Sequence, residues 1–173
     1  MDGKIYAFGG MENVADEEEA EALDVMAPQL STKAMTSCER YNAETDVWEP
    51  LPDMETARYD AAAVVFGGKI WVTGGTSRHN DYNLRSVEVF DPVTNTWDLS
   101  KNMMREDRAR HMLVVLNGEL HAVGGHRSEE AQGGEDEATV EKYDPDSDNW
   151  ILVPDMAIPE ERGGHLSAIC SRG

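Results

Sequence analysis

The chain has 173 residues, 40% of them hydrophobic, which suits one globular domain with a core of its own. Its formal net charge of −19 disfavours nucleic acid and anionic membranes as partners, because both attract clusters of Lys and Arg, and favours a basic protein or peptide. The sequence shows neither a signal peptide nor a long apolar run, so we expect a cytoplasmic protein, with a nuclear location left open.

The first element is an apolar stretch that ends in two glycines, "GKIYAFGG" at residues 3–10. Residues 5–8 are apolar at successive positions, which predicts a strand covered on both faces by neighbouring sheets. Residues 11–35 follow and contain seven acids and one lysine. We interpret this acidic insertion as solvated polypeptide, with a short helix ended by Pro28 as the alternative.

The same signals return twice, as "GKIWVTGG" at residues 68–75 and "GELHAVGG" at residues 118–125. Apolar runs precede Gly67-Gly68 and Asn117-Gly118, two pairs that are typical of tight hairpin turns. An aromatic residue then precedes a tryptophan by seven positions, and a methionine follows that tryptophan by six, in all three copies: Tyr41, Trp48 and Met54; Phe90, Trp97 and Met103; Tyr143, Trp150 and Met156. We therefore predict repeats at about 1–56, 57–106 and 107–158, with 159–173 as the first strand of a further repeat.

The double glycine, the Tyr or Phe followed by "DP" in two copies, the spaced Trp and a Met-x-x-x-Arg segment together resemble the kelch repeat. The likeness is to the kelch domains of BTB-kelch (Kelch-like) adaptor proteins. It implies an all-β fold, a β-propeller whose blades each have four strands, named a to d from the axis outward. For residues 1–173 it predicts a kelch β-propeller segment with the strand order b-c-d, a-b-c-d, a-b-c-d, a, which makes three four-stranded blades in total.

Three blades are too few for a closed ring, since propellers close with roughly four to eight. The segment is therefore an open arc unless another chain completes it, and open blade edges favour self-association. Two arrangements follow. The chain is a fragment of a longer kelch protein, or two chains join head to tail so that the last strand of each completes the first blade of the other. From the sequence we favour the fragment.

Alternating strand direction places the b-c and d-a connections on one face of the propeller, which we call the loop face. The acidic insertions 11–35 and 126–138 are both b-c connections, and an acidic rim attracts a Lys/Arg-rich partner. Residues of this face that do not recur between repeats are the candidates for partner binding: Arg110, His126, Arg127, Arg78, His79, Asn80 and Tyr82. In kelch adaptors partner peptides dock on this face, and the resemblance implies that role for Arg110 and His126.

Charged residues that do recur are expected to serve the blade itself. An arginine recurs before strand a, at Arg58, Arg108 and Arg162. A glutamate recurs two residues before the aromatic that precedes each tryptophan, at Glu39, Glu88 and Glu141. Both types lie near the loop face. We predict that arginine and glutamate pair, within or between blades, through charge-assisted hydrogen bonds.

The sequence shows no convergent set of catalytic groups. The five histidines do not cluster at metal-ligand spacings, and His111 and His165 recur at one repeat position. Cys38 and Cys170 are expected to be ordinary reduced thiols. We predict a protein-protein interaction module without enzymatic activity, metal or cofactor. The resemblance adds the substrate adaptor of a ubiquitin ligase, with a structural or actin-associated scaffold, or a propeller enzyme of the sugar-epimerase or copper-oxidase type, as alternatives.

Overall fold

The computed structural model describes residues 3–15, 30–77, 82–99, 101–127 and 139–153. In these ranges the secondary structure is entirely β, and no helix is long and apolar enough to cross a membrane. The strands are β1 Ile5–Phe8, β2 Met11–Ala15, β3 Leu30–Ala34, β4 Cys38–Asn42, β5 Val47–Leu51, β6 Ala62–Phe66, β7 Lys69–Thr73, β8 Thr76–Ser77, β9 Tyr82–Asn83, β10 Val87–Asp91, β11 Thr96–Asp98, β12 Met112–Leu116, β13 Glu119–Val123, β14 Val140–Asp144 and β15 Asn149–Val153. The predicted all-β class is confirmed.

Three antiparallel sheets form the blades. Blade 1 has the order β1-β4-β5, blade 2 the order β6-β7-β10-β11, and blade 3 the order β12-β13-β14-β15. In the repeat nomenclature these are b-c-d, a-b-c-d and a-b-c-d, as the sequence predicts. The last predicted strand, in 159–173, lies outside the described residues.

The a-b hairpins of blades 2 and 3 close with two-residue turns. Gly67 and Gly68 have φ of 58° and 76°, and Asn117 and Gly118 have φ of 52° and 80°. Positive φ at both central residues matches the right-handed twist of the flanking strands, which explains why Gly-Gly and Asn-Gly occur here.

The core lies between blades. Phe90, Tyr143 and Trp150 are 1%, 4% and 3% exposed, so these recurring aromatics of blades 2 and 3 belong to the core. Between blades 1 and 2, Phe8 meets Trp97 edge to face at a centroid distance of 5.6 Å. Between blades 2 and 3, the rings of Trp71 and Tyr143 lie 4.7 Å apart. Burial of these large rings is what holds neighbouring blades together.

Blade 1 departs from the expectation that strand b is covered on both faces. Tyr6 and Phe8 of β1 pack against blade 2, but Ile5 is 59% exposed and Ala7 is exposed as well. Trp48 of the same blade is 44% exposed. The prediction holds for β7, where Ile70 to Thr73 are all buried between two neighbours. It is wrong for β1 because only one of its faces meets a described blade.

The second repeat also differs from the predicted methionine spacing. Met54 is 3% exposed and its amide donates to the Thr36 carbonyl. Its counterpart at the end of the second repeat is Met104, which is 1% exposed and whose amide donates to the Arg85 carbonyl, whereas Met103 is 56% exposed. Met104 stands four residues before Arg108, as Met54 does before Arg58, so the spacing to the arginine identifies the buried methionine and the spacing to the tryptophan does not.

The acidic insertion 11–35 is more regular at its ends than predicted. Strands β2 and β3 pair from Met11 opposite Ala34 to Ala15 opposite Leu30, so an antiparallel hairpin stem rises from blade 1. Neither "MENVA" nor "LSTKA" has the strict alternation of apolar and polar residues that is typical of a half-buried strand, so no periodic pattern predicted this hairpin. Residues 16–29, on which the helix alternative falls, lie outside the described residues.

Candidate functional site

The b-c and d-a connections lie side by side on the loop face. In blade 2, Tyr59 and Thr76 exchange backbone hydrogen bonds of 3.1 and 2.8 Å. In blade 3, Ala109 and His126 do the same at 3.0 and 2.9 Å. Each pair joins the residue after the recurring arginine to the residue after the double glycine. The polypeptide that carries the candidate residues is therefore a continuous hydrogen-bonded surface across blades 2 and 3.

The recurring arginines and glutamates pair within their blades, as predicted. Arg58 Nη2 lies 2.6 Å from Glu88 Oε1, and Arg108 Nη2 lies 3.0 Å from Glu141 Oε1. All four side chains are at most 3% exposed. Burial lowers the pKa of Arg58, and the nearby Glu88 carboxylate opposes that shift. Glu39 of blade 1 is exposed and has no ion pair among the described residues.

The double glycines join each blade to the next one. The amide of Gly10 donates to the Arg58 carbonyl at 2.9 Å, and that of Gly75 donates to the Arg108 carbonyl at 2.8 Å. Gly74 has φ of 60°, and a Cβ there would overlap the Arg108 carbonyl oxygen. Only glycine allows this approach. The double glycines therefore stand where the backbones of neighbouring blades crowd together.

Arg110 occupies an unusual backbone position on the loop face. Its φ is 57°, a left-handed value that is uncommon for a large side chain. The equivalent residue of blade 2, Asp60, has φ of 54°, and the equivalent residue of the tail is Gly164. Arg110 Nε lies 2.8 Å from Asp60 Oδ2, with the arginine side chain 53% exposed and the aspartate 22%. The hydrogen bond with Asp60 raises the pKa of Arg110.

His126 and Tyr82 are brought together through a residue that the sequence reasoning missed. Asn83 Nδ2 donates to the His126 carbonyl at 2.6 Å, which joins the b-c connections of blades 2 and 3. Tyr82, the neighbour of Asn83 in β9, is 36% exposed, and the His126 side chain is half-buried. Asn83 recurs in no other copy, so no repeated pattern in the sequence singled it out.

Arg127 faces carboxylates of the d-a connection. Its Nη2 lies 2.8 Å from Glu106 Oε2, and its Nε lies 3.6 Å from Asp107 Oδ1. Arg110 and Arg127 are therefore both paired with carboxylates of the protein itself, which was not predicted from the sequence. Arg78, His79 and Asn80 lie outside the described residues.

A polar cavity adjoins the hairpin stem on the loop-face side of blade 1. Its volume is about 370 Å³, and its walls include Glu12 and Lys33 of the stem and Ala57 of the connection to blade 2. Glu12 and Lys33 are 4.0 Å apart and more than half exposed. This opening is weakly enclosed, which suits contact with a peptide better than retention of a small molecule.

Two titratable groups of the core are held in their neutral forms. Burial lowers the pKa of His111 to about 3, and Arg108 and Arg58 add to the shift. Its Nε2 lies 2.8 Å from Thr73 Oγ1 at the blade 2–blade 3 boundary. Burial raises the pKa of the free thiol of Cys38 to about 11. Across the described ranges no three His, Cys, Asp or Glu side chains are placed to hold a metal ion.

Two four-stranded blades with buried Arg–Glu pairs, a third blade with three described strands, and glycine-mediated junctions between blades are typical of a β-propeller of the kelch type. The family model described as "Kelch motif" matches residues 1–55, 57–104 and 107–157. The chain belongs to the kelch-repeat family.

Curated relatives agree. The chain is 30% identical over 167 residues to Kelch-like protein 15 of Danio rerio, covering 85% of this chain and 26% of that protein. It is 33% identical over 132 residues to Kelch-like protein 35 of Mus musculus, covering 76% and 21%. An F-box/kelch-repeat protein of Arabidopsis thaliana is 32% identical over 155 residues, with 88% and 33% covered. The chain thus spans about a fifth to a third of the length of these relatives.

A solved structure supports the fold. The structure of YjhT aligns with a TM-score of 0.61 at 16% identity, over 70% of this chain and 45% of that one. At this identity the likeness concerns the arrangement of the strands alone.

Proposed function

We propose that this kelch segment is a protein-interaction module that binds a protein or peptide partner on its loop face, through a surface that includes Arg110, Arg127, His126 and Tyr82. Binding, and not catalysis, is the role that this surface supports, because its polar groups are spread over two blades instead of converging on one point.

The observation that carries the proposal is the conformation of Arg110. A large side chain is held at a φ of 57°, where the neighbouring copies have Asp or Gly, and is still 53% exposed. The blade does not need this arginine, since blade 2 is built without it. Strained, exposed and unrepeated residues concentrate at binding sites.

The charges of the surface indicate how a partner engages it. Arg110 and Arg127 each sit against carboxylates of the loop face, so a partner carboxylate has to displace an aspartate or glutamate to reach them. A partner Lys or Arg is favoured by the net charge of −19. We therefore propose a basic segment as the partner, with the two arginines contributing planar contact surface.

We further propose that the module is the substrate-binding part of a ubiquitin-ligase adaptor in the protein to which it belongs. Its likeness to Kelch-like proteins supports this role. In cells, a partner that is captured through the loop face should lose ubiquitin conjugation when Arg110→Gly replaces the natural residue. Unchanged conjugation of such a partner would contradict the adaptor role and leave the binding site itself untouched.

The experiment selects binders from a displayed library of random peptides and compares their affinities for the wild-type chain, the Arg110→Gly variant and a control variant. Arg110→Gly removes the side chain, and glycine adopts the left-handed backbone without strain. We expect selected peptides to be rich in Lys and Arg, to bind Arg110→Gly at least tenfold more weakly, and to weaken further as salt rises.

Lys69→Ala is the matched control. Lys69 lies beside the a-b turn, away from the loop face, and pairs with Asp91 at 3.3 Å with exposures of 43% and 22%, close to those of Arg110 and Asp60. It should bind the same peptides within twofold of wild type. Both variants make the chain more negative, so equally tighter binding of a basic peptide in the two would mean that net charge and not the loop face governs binding. No loss of affinity in Arg110→Gly would place the site elsewhere.

A further inference from the structure

The connection that leaves blade 2 is one residue longer than its counterpart in blade 1. Trp97 precedes the buried Met104 by seven positions, whereas Trp48 precedes the buried Met54 by six. Strand β11 of blade 2 has three residues, while the equivalent strands β5 and β15 have five each. The repeat is therefore interrupted at residues 99–103, between the last strand of blade 2 and the first strand of blade 3.

This interruption deprives blade 3 of a hydrogen bond. The indole nitrogen Nε1 of Trp97 donates to the Pro52 carbonyl of the preceding connection at 2.8 Å. The equivalent nitrogen of Trp150 is buried and has no partner among the described residues. Asn102, which stands at the position of Pro52, donates its side-chain amide to the Asp148 carbonyl at 2.7 Å. A departure from the repeat that weakens the blade indicates a role outside the blade.

Two apolar side chains are exposed at the same place. Met103 is 56% exposed and stands where the other two repeats have Asp53 and Asp155. Leu99 is 46% exposed. Together with Val87 of β10, which is buried, they line a pocket of about 170 Å³. Its size suits one aliphatic side chain or ring, since an apolar cavity of about 150 Å³ holds benzene.

The charged residues that line this pocket favour a basic neighbour for the bound side chain. Glu88 is buried against Arg58, and Lys101 lies 3.7 Å from Asp148. Glu55 is exposed and forms no ion pair with a described residue. Its carboxylate is therefore available to a Lys or Arg of a partner, and the net charge of −19 adds to that attraction.

We propose that the pocket formed by Val87, Leu99 and Met103, which we call the rim pocket, binds one aliphatic side chain of a partner peptide, next to a Lys or Arg that pairs with Glu55. The pocket lies on the outer strands of blade 2 and shares no residue with the surface around Arg110. An extended segment of two or three residues supplies both contacts. The rim pocket is thus a second binding site, and it does not depend on the loop face.

The test follows the methyl resonances of Leu99 by NMR while short peptides are added to the full chain. The peptide Gly-Arg-Leu-Arg-Gly should shift them saturably. Gly-Arg-Ser-Arg-Gly keeps the charges but lacks the aliphatic side chain, so it should bind at least tenfold more weakly. Gly-Glu-Leu-Glu-Gly should also bind more weakly, and Glu55→Gln should reduce that difference. Equal binding of the leucine and serine peptides, or no shift at all, overturns the proposal.

Two variants take their new residue from another repeat, so both should fold. Met103→Asp introduces the residue of the other two repeats and should weaken binding of the leucine peptide at least tenfold, although its added negative charge favours a basic peptide. Val93→Asp is the matched control, because Val93 is 90% exposed in the β10–β11 turn and blade 3 has Asp146 there. It adds the same charge and should leave the affinity within twofold of wild type. Equal losses in the two variants would refute the rim pocket.

Arg110→Gly separates the rim pocket from the loop face. The variant should shift the Leu99 resonances with the same affinity as the wild-type chain, whether or not the loop face binds a partner of its own. A tenfold loss in Arg110→Gly would assign the leucine peptide to the loop face and overturn the proposal.

Discussion

Glu88 and Glu141 each gather several hydrogen-bond donors around one buried carboxylate. Glu88 accepts from Arg58 at 2.6 Å and from the amides of Glu55 and Thr56 at 2.9 and 3.1 Å. The arginine in turn donates to the Gly74 carbonyl at 2.8 Å. One residue pair therefore connects strand c, the double glycine and the connection from the preceding blade.

We expect Glu88→Gln to be strongly destabilising. Glutamine has nearly the same shape but leaves the Arg58 guanidinium, which is fully buried, without a counter-charge, and its NH2 group opposes one of the two backbone donors. Breaking one side of a buried ion pair typically costs about 3–5 kcal/mol. Urea unfolding followed by tryptophan fluorescence measures the loss.

Glu141→Gln should behave in the same way, because Arg108 is equally buried. Glu119→Gln removes one partner of an exposed ion pair with Lys142, and its urea midpoint of unfolding should equal that of the wild-type protein. A wild-type midpoint in Glu88→Gln would show that the buried pairs do not support the blades.

His111 should make stability depend on pH. Its pKa in the folded chain is about 3 against 6.5 in the unfolded chain, so the unfolded state binds the proton first. The contribution is fully present above pH 6.5 and is lost as the pH falls below it, with a slope that approaches about 1.4 kcal/mol per pH unit. Denaturant midpoints between pH 5 and 7 test this.

The matched variant is His111→Gln, whose amide can still bond to Thr73 but does not titrate. Its stability should vary less between pH 7 and pH 5 than that of the wild-type protein. Parallel pH profiles for the two proteins would assign the slope to other groups.

At the scale of elements, the strand ends are set by contacts with the next blade. Repetition of the double glycine predicted where strand b ends, and the structure supplies the cause, which is the approach of the Arg58 and Arg108 carbonyls to Gly10 and Gly75. The hairpin turns were readable as well, because Gly-Gly and Asn-Gly permit positive φ at both positions. The stem formed by β2 and β3 was not predicted, since neither strand alternates apolar and polar residues.

Two glycine substitutions separate backbone strain from steric overlap. Gly74→Ala places a methyl group against the Arg108 carbonyl and within 2.7 Å of His111, so blade 3 has to move. Gly68 also has a positive φ, of 76°, but the space around a new methyl group is open. Gly68→Ala should therefore lower the free energy of unfolding only by the left-handed backbone strain, about 1–2 kcal/mol. Thermal unfolding should show a clearly larger drop for Gly74→Ala, and equal drops would argue against a tight blade junction.

At the scale of the whole molecule, charge opposes compactness. A net charge of −19 on 173 residues produces self-repulsion, which added salt screens, while the buried Arg–Glu pairs are little affected. Raising NaCl from about 20 to about 300 mM should therefore raise the melting temperature, by about 2–4 °C for a gain of about 1 kcal/mol in a domain of this size. A second monovalent salt at equal ionic strength controls for specific ions, and a fall in melting temperature would contradict the argument.

The sequence by itself determined the repeat, the β class, the order of strands within blades and the pairing of arginine with glutamate. These features follow from residue types at regular spacing, which recur because each blade solves the same packing problem. The tertiary structure alone decided that Met104 and not Met103 is buried, that one face of β1 is open, and that Arg110 and Arg127 lie against carboxylates. These depend on contacts between residues about 20 to 50 positions apart, which no local pattern encodes.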